Sequence, residues 1–269
     1  MTASDLWKIH EKISKTRPLV HCITNPVTIN DCANVLLAVG ARAIMASHVD
    51  EVEDIQQGAS ALVLNLGGIA NFNAMTRAAK AASSLGHPVV VDPVGVSASG
   101  LRRRACLELL TSHLVTCVRG NGSEIAALLS ESRTATGLEA EGISGDVCPN
   151  AVALARRHSC TVVSSGATDV ITDGKSVFAV SNGDAMMTRI TGSGCMSTTL
   201  IGAFYSMENS ILAAVASCAY MGICGEVAAK DTRSLGRGTG TFRTFLIDKL
   251  FNLDFAEFSS RLKVKSCEE

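Results

Sequence analysis

The chain has 269 residues, long enough for a large hydrophobic core, and we predict one domain over residues 1–269. Its net charge of -1, from 24 basic and 25 acidic residues, creates no general field that would gather nucleic acid or an anionic membrane surface. The 10 cysteines contain no C-x-x-C pair, which argues against both a zinc site and a secreted disulfide framework.

The N-terminal segment predicts an amphipathic helix, because charged and apolar side chains are interleaved at Asp5, Leu6, Lys8, Ile9, Glu11, Ile13 and Lys15. It lacks the continuous apolar core of a signal peptide, so we expect a cytoplasmic protein. The most apolar segment, residues 211–225, is shorter than the roughly 20 residues needed to cross a membrane. We predict that it is a buried helix and that the protein has no membrane partner.

Short apolar runs alternate with helix-length amphipathic runs along the first two thirds of the chain. Continuous hydrophobicity predicts strands buried on both faces, as in a parallel sheet covered by helices, at residues 61–66, 89–91, 114–118 and 161–163. Residues 170–180 predict a hairpin at the sheet edge, with Asp173 and Gly174 as a two-residue turn. The fold class is therefore α/β, a mainly parallel central sheet with an antiparallel edge hairpin.

Helices are predicted between and after these strands at residues 50–57, 71–85, 101–110, 123–129, 150–158, 198–204, 211–229 and 241–250. The polar stretch at residues 134–145 is typical of a surface excursion.

The stretch Thr191-Gly192-Ser193-Gly194-Cys195 stands directly before a helix-like run. Glycines let a backbone approach a ligand closely, and the unpaired N–H groups of a first helical turn bind anions, so the stretch indicates a phosphate site. A tight turn before a buried helix has the same pattern, and the turn alone does not separate the two interpretations.

Polar clusters also follow the predicted strands, where ligands bind in open α/β sheets. Asp92 is either a turn residue or a carboxylate that serves Mg²⁺. Arg119 offers a fork of donors to phosphate, and Asn121 with Glu124 fits a helix capping box as well as a ligand site. Residues 164–169 add hydroxyls and a glycine, and residues 236–242 form a second glycine-rich helix start.

Seven segments in order resemble the hydroxyethylthiazole kinase family, a branch of the ribokinase-like small-alcohol kinases: His21-Cys22-Ile23-Thr24-Asn25, Ala43-Ile44-Met45, Leu64-Asn65-Leu66-Gly67, Val91-Asp92-Pro93-Val94-Gly95, Arg119-Gly120-Asn121, Thr191-Gly192-Ser193-Gly194-Cys195 and Gly238-Thr239-Gly240-Thr241-Phe242. The resemblance spans nearly the whole chain. It implies a ribokinase-like three-layer α/β/α fold and transfer of the γ-phosphoryl group of ATP, with Mg²⁺, to the primary alcohol of 4-methyl-5-(2-hydroxyethyl)thiazole for thiamine synthesis or salvage.

The same resemblance assigns roles to single residues. It implies that Arg119, Asn121 and Ser165 contact ATP, that Asn25, Met45 and Gly192 contact the thiazole, and that Asp92 and Glu124 serve the metal. Ser193, Gly194 and Cys195 would form the catalytic turn, with Cys195 beside the substrate hydroxyl. The family implies a homotrimer with sites between subunits.

Three parts of the sequence depart from the family pattern. Ser165 stands where the family often has Thr, and residues 66–68 and 142–144 differ from the usual Ile-Gly-Thr and Gly-Val-Asp, which leaves the role of Ser144 open. Related alcohol kinases of the same fold usually carry Asp at the position of Cys195, so the cysteine favours the thiazole enzyme. A helix N-terminus lowers a thiol pKa, so we expect a partly ionised Cys195 that acts as a modest base or only positions the hydroxyl.

Several alternatives stay open at this point. One is a kinase for a pyrimidine or pyridoxal alcohol, or an ADP-dependent repair dehydratase of the same fold. Others are a dinucleotide-dependent oxidoreductase using Gly192 and Gly194, a thiol enzyme with Cys195 as nucleophile, and a non-catalytic thiazole or nucleotide sensor.

Overall fold

Parallel strands connected by helices form the centre of the molecule. The computed structural model describes residues 1–130 and 149–267. Its strands are β1 (Leu19–Ile23), β2 (Arg42–Ile44), β3 (Ala61–Asn65), β4 (Val89–Asp92), β5 (Cys117–Asn121), β6 (Thr161–Ser165), β7 (Asp169–Thr172), β8 (Val177–Val180) and β9 (Val264–Cys267). Its helices are α1 (Ala3–Thr16), α2 (Ile29–Ala38), α3 (Val52–Gly58), α4 (Phe72–Ser84), α5 (Gly100–Thr111), α6 (Gly122–Leu129), α7 (Pro149–His158), α8 (Ser193–Tyr205), α9 (Ile211–Ser234), α10 (Thr239–Asn252) and α11 (Phe255–Arg261).

The strands join in one sheet in the order β2-β1-β3-β4-β5-β6-β7-β8-β9. The first six in this order pair parallel, and β7, β8 and β9 pair antiparallel. Helices separate the parallel strands in the chain, because a parallel pair needs a crossover connection. All carboxyl ends of the parallel strands therefore lie along one edge of the sheet.

Alternate residues of each strand face opposite helical layers. Val63 belongs to the core shared with α1, α2, α8, α9, α10 and α11, whereas Leu62 and Leu64 belong to the core shared with α3 to α7. Both faces of β3 and β4 are buried, which explains why these strands are apolar without alternation. The three-layer α/β/α prediction is confirmed.

Four predicted strands correspond to β3, β4, β5 and β6, although β5 begins at Cys117 rather than at residue 114. The hairpin of β7 and β8 is present, but the prediction of a two-residue turn is wrong. Thr172 pairs with Val177, which leaves four residues in the loop. The Asp173 carboxylate accepts the N–H groups of Lys175 and Ser176, at 2.9 and 2.7 Å, and this bonding stabilises the longer loop.

The strands β1, β2 and β9 were absent from the strand predictions. Strand β2 is three residues long and β9 has the polar residues Lys265 and Ser266 at its centre, so neither has the continuous apolar run of a buried strand. Strand β9 pairs with β8 and forms the outer antiparallel edge.

Helix α1 buries Leu6, Ile9 and Ile13, as its charge pattern predicts. Helix α9 is long and apolar enough to cross a membrane by composition, but 83% of its most apolar window is buried inside the protein. The prediction of a buried helix is confirmed. Residues 134–145 and Ser144 lie outside the described residues.

Candidate active site

Polar side chains stand at the carboxyl ends of five parallel strands. Asn25 follows β1, and β3, β4, β5 and β6 end at Asn65, Asp92, Asn121 and Ser165. Because adjacent parallel strands share this edge, the residues form a row across the sheet. Three of the five belong to a cluster around Cys195, and the other two line a neighbouring cavity.

The side chain of Asn65 connects the centre of this row. Its Nδ2 donates to Oδ2 of Asp92 at 3.0 Å and to Sγ of Cys195 at 3.2 Å. The amide of Asn25 donates to the same sulfur at 3.5 Å and to Oδ1 of Asn65 at 3.2 Å. From α8, Oγ1 of Thr198 donates to Oδ2 of Asp92 at 2.8 Å. One network thus fixes the carboxylate and the thiol relative to each other.

Burial raises the pKa of Asp92 to about 6, against an ordinary value of 3.8. The charge of Arg119 and the bonds from Thr198 and Asn65 oppose this rise, whereas the nearby carboxylate of Glu124 adds to it. Asp92 is only 2% exposed and its carboxylate bonds side chains of other elements, so it is not a turn cap. A buried carboxylate with a second acid nearby is typical of a functional site.

The expectation of a lowered thiol pKa at Cys195 is wrong. Burial raises the pKa of the Cys195 thiol, and the charge of Asp92 raises it further. The amide donors from Asn65 and Asn25 act in the opposite direction without reversing the sign. The thiol is therefore protonated at neutral pH, which also argues against the thiol-nucleophile alternative.

The glycine turn leads directly into α8, which begins at Ser193 rather than at residue 198. Gly192 has φ +82° and precedes the first turn without a side-chain cap. A Cβ added to it would lie 2.5 Å from Cγ2 of Thr28, so glycine is required here by both conformation and space. The first-turn N–H groups of α8 are consequently available to an anion.

A cavity of about 560 Å³ opens beside this helix start. Its lining includes the predicted residues Arg119, Asn121, Ser165, Ser193 and Gly194. The buried Nε of Arg119 has no hydrogen-bond partner within residues 1–130 and 149–267. A Cβ added to Gly194 would lie 2.7 Å from Nη1 of Arg119, so the guanidinium and the helix start are in close contact. The cavity therefore presents two groups suited to phosphate.

The capping box at the start of α6 is present. Oδ1 of Asn121 accepts the N–H of Glu124 at 2.9 Å, and Oε2 of Glu124 accepts the N–H of Asn121 at 3.0 Å. The other carboxylate oxygen of Glu124 accepts the N–H of Gly95 at 3.0 Å, which joins the turn after β4 to the start of α6. Glu124 thus has a structural role whether or not it also serves a metal.

Three neighbouring residues had no predicted role. The sequence could have indicated a site role for Asn65, because it is a polar residue that ends an otherwise apolar strand. Nothing in the sequence indicates such a role for Thr198, since it lies inside the helical run. Asp169 lines the cavity at the start of β7, and burial raises the pKa of its carboxylate while Arg119 opposes the rise.

Met45 lies apart from this cavity. It follows the edge strand β2 and packs, half-buried, on the core to which α8 contributes. The glycine-rich residues 236–240 are exposed at the start of α10 and are also not part of the cavity lining. The predicted thiazole contacts of Met45, Asn25 and Gly192 remain predictions.

The model of the Hydroxyethylthiazole kinase family matches residues 10–256. The chain belongs to the hydroxyethylthiazole kinase family. Among similar relatives, a hydroxyethylthiazole kinase of Leptothrix cholodnii is 42% identical over 98% of this chain and 96% of its own. Hydroxyethylthiazole kinase 1 of Methanosphaera stadtmanae is 37% identical over 98% of both chains.

Structural comparison agrees with this membership of the hydroxyethylthiazole kinase family. The hydroxyethylthiazole kinase protein from Pyrococcus horikoshii has a TM-score of 0.89 and 34% identity, over 98% of this chain and 100% of that one. A pyridoxal kinase from Staphylococcus aureus has a TM-score of 0.58 at 14% identity, over 77% of this chain and 87% of that one, and shares the fold alone. The glycine turn follows an antiparallel strand and a 3₁₀ segment (Ala185–Arg189), which is not the strand-turn-helix context of a dinucleotide fingerprint.

Proposed function

We propose that the protein transfers the γ-phosphoryl group of ATP to the primary alcohol of 4-methyl-5-(2-hydroxyethyl)thiazole. The observation that carries this proposal is that one helix start meets both groups: the unpartnered guanidinium of Arg119 contacts Gly194, and the next residue, Cys195, is joined to Asp92 through Asn65. Phosphoryl transfer requires mainly positioning and neutralisation of charge, which this arrangement provides. The family relatives named as hydroxyethylthiazole kinases support the choice of alcohol.

ATP would occupy the cavity, with its phosphates against both Arg119 and the first turn of α8. The unpartnered guanidinium N–H of Arg119 supplies charge-assisted donors there. Ser165 lines the same cavity at the end of β6. Its hydroxyl donates to the carbonyl of Gly120 at 3.2 Å, and from this position it would contact the nucleotide. Asn121 also lines the cavity and would contact the nucleotide.

The alcohol would lie on the Cys195 side, next to Asn25. The sulfur accepts two amide donors and keeps its own proton, so we assign Cys195 to orienting the substrate hydroxyl rather than to removing its proton. Because the transition state is loose, it demands little early deprotonation of the alcohol. Ser193 and Gly194 would hold the transferred group through backbone N–H groups.

The residues present fit Mg²⁺ at Asp92 and Glu124. Both supply hard oxygen ligands, and the charge of Glu124 disfavours ionisation of Asp92, a repulsion that a divalent cation relieves. Within residues 1–130 and 149–267, no group of three or more potential ligands is present, so the proposed ion would be held mainly by water and phosphate oxygens. When bound, Mg²⁺ would neutralise charge on the phosphates.

We also propose a homotrimer with sites between subunits. Next to Asn25, Val27 and Ile29 are 69% and 39% exposed, and Leu37 on the same helix α2 as Ile29 is 55% exposed. A second copy that covers these side chains would complete the substrate side. Light scattering would measure the mass, and a fully active monomer would contradict the shared site. The buried position of α9 supports a soluble protein, and a cytoplasmic location remains our expectation.

The decisive experiment is a phosphorylation assay with ATP and Mg²⁺ over thiazole, pyrimidine and pyridoxal alcohols. We expect the highest kcat/KM with the thiazole alcohol. Equal or higher values with another alcohol would refute the proposed substrate. Binding of ATP and thiazole without turnover would instead identify a sensor.

A further inference from the structure

A buried histidine on β1 contacts the segment that follows β2. His21 is fully buried, and its Nε2 lies 2.8 Å from the carbonyl oxygen of Ala46. Its Nδ1 lies 2.7 Å from Nε2 of Gln56, a fully buried residue of α3. Oε1 of Gln56 lies 3.4 Å from Nδ1 of His87, which stands just before β4. None of these groups belongs to the phosphate cavity.

The chemistry of the partners fixes the position of every proton. The carbonyl of Ala46 can only accept, so Nε2 of His21 must carry the hydrogen. Nδ1 is then a lone-pair acceptor for the amide N–H of Gln56, whose oxygen accepts from His87. Burial lowers the pKa of His21, which keeps this neutral form at physiological pH. The ring is thus held in one tautomer and one orientation.

This bond fixes the backbone at the end of the edge strand. Met45 precedes Ala46 and packs on the core shared with α8, whereas the His21 ring points into the opposite layer, with α3. The carbonyl of Ala46 is therefore tied to one layer while the Met45 side chain lies on the other. Strand β2 has only three residues and a partner on one side, so the sheet alone does little to fix its outgoing segment.

We infer that His21, oriented by Gln56, is a positioning residue for the alcohol side of the reaction. It sets the backbone at Met45 and Ala46 and thereby the apolar surface that Met45 offers to the substrate. This inference rests on the proposed function and on the predicted contact of Met45 with the thiazole. It adds a role for a residue that contacts neither substrate.

The first test is nitrogen NMR of the histidine rings in the wild-type protein. We expect His21 as the Nε2–H tautomer at neutral pH, with a pKa below the ordinary histidine value because burial disfavours its charged form. A Gln56→Leu variant should keep the Nε2–H tautomer, which the carbonyl of Ala46 fixes, and should shift the Nδ1 resonance because the hydrogen bond to that atom is lost. An Nδ1–H ring, or a ring that exchanges freely in the wild type, would overturn the inference.

The second test separates positioning from general destabilisation by steady-state kinetics. His21→Leu should raise KM for the thiazole alcohol about tenfold, with kcat and KM for ATP changed less than about twofold, because a misplaced contact weakens substrate binding. His21→Gln, whose amide can still donate to Ala46, should recover most of the loss. If His21→Leu does not fold, Gln56→Leu is measured in its place, with a smaller rise of the same kind expected.

The control is His158→Leu. His158 is also a buried histidine bonded to a backbone carbonyl, that of Leu110, but it lies at the end of α7, just before β6 begins and away from the carboxyl edge. We expect it to lower stability and leave both KM values unchanged. Equal effects of His21→Leu and His158→Leu would refute the positioning role. If the wild type prefers another alcohol, the proposed function fails, and the same comparison with that alcohol decides the role of His21.

Discussion

Replacing Asp92 by asparagine should stabilise the protein while it destroys activity. The carboxylate is buried, and the folded pKa of about 6 exceeds the ordinary value of 3.8. The folded state therefore binds a proton more tightly than the unfolded state, so this group favours folding below pH 3.8, and the benefit is lost as the pH rises to 6. At 1.36 kcal/mol for each pH unit between the two pKa values, ionisation of Asp92 lowers the free energy of unfolding by about 3 kcal/mol at about pH 7.5.

The amide introduced by Asp92→Asn would keep the geometry, because its oxygen can accept from Asn65 and Thr198 as Oδ2 of the carboxylate does now. Urea unfolding at about pH 7.5 should show the variant more stable by up to about 3 kcal/mol, an advantage that shrinks below about pH 6 and vanishes near pH 4. The phosphorylation assay should show turnover lost, since the amide does not replace a carboxylate beside Mg²⁺.

The matched control is Thr198→Val, which keeps the carboxylate and removes one of its donors. This variant should be less stable than the wild type, and more so at about pH 7.5 than at about pH 5, because the ionised form needs the donor most. If Asp92→Asn were equally destabilising at every pH, the pKa of Asp92 would not be raised in the folded state and the reasoning would fail.

Three further predictions concern the cavity and the glycine turn. Arg119→Ala should raise KM for ATP by about 10- to 150-fold, the equivalent of losing 1.5 to 3 kcal/mol of charge-assisted bonding, and leave the dissociation constant of the thiazole unchanged in calorimetry. Normal ATP binding with lost thiazole binding would move the nucleotide elsewhere. Cys195→Ser should reduce turnover less than about a thousandfold. Cys195→Asp should keep or raise turnover, because the amide donors of Asn25 and Asn65 also suit a carboxylate. A Cys195→Asp variant that folds and binds both ligands but is inactive would contradict this prediction. Gly192→Ala should lower the melting temperature and turnover together, since its φ of +82° and the contact with Thr28 exclude a side chain; an unchanged melting curve would show that the turn adapts.

The row of strand-end residues was predictable because its signals are local. Asp92, Arg119 and Ser165 each follow a short apolar run, and parallel strands bring such positions to one edge regardless of their separation in the chain. The capping box of Asn121 and Glu124 was equally predictable from the sequence, since both partners lie within one helical turn.

The contacts that depend on packing between distant elements could not be predicted in this way. Thr198 reaches Asp92 from inside α8, across 106 positions of sequence, and nothing in its neighbourhood distinguishes it from a core threonine. The predicted direction of the Cys195 pKa shift was wrong for a related reason. A helix start lowers a thiol pKa, but burial and the charge of Asp92 outweigh it, and both depend on the tertiary structure.

The order of the strands in the sheet also sets the order of the site residues along its edge. From β1 through β3, β4 and β5 to β6, the edge passes from Asn25 to Ser165 in four steps between neighbouring strands. At about 4.8 Å for each step, the row is about 19 Å long and runs along the hydrogen-bonding direction of the sheet. An in-line transfer along that axis has its donor and acceptor halves on different strands. The acceptor half can therefore diverge to fit other alcohols while the nucleotide half stays as it is.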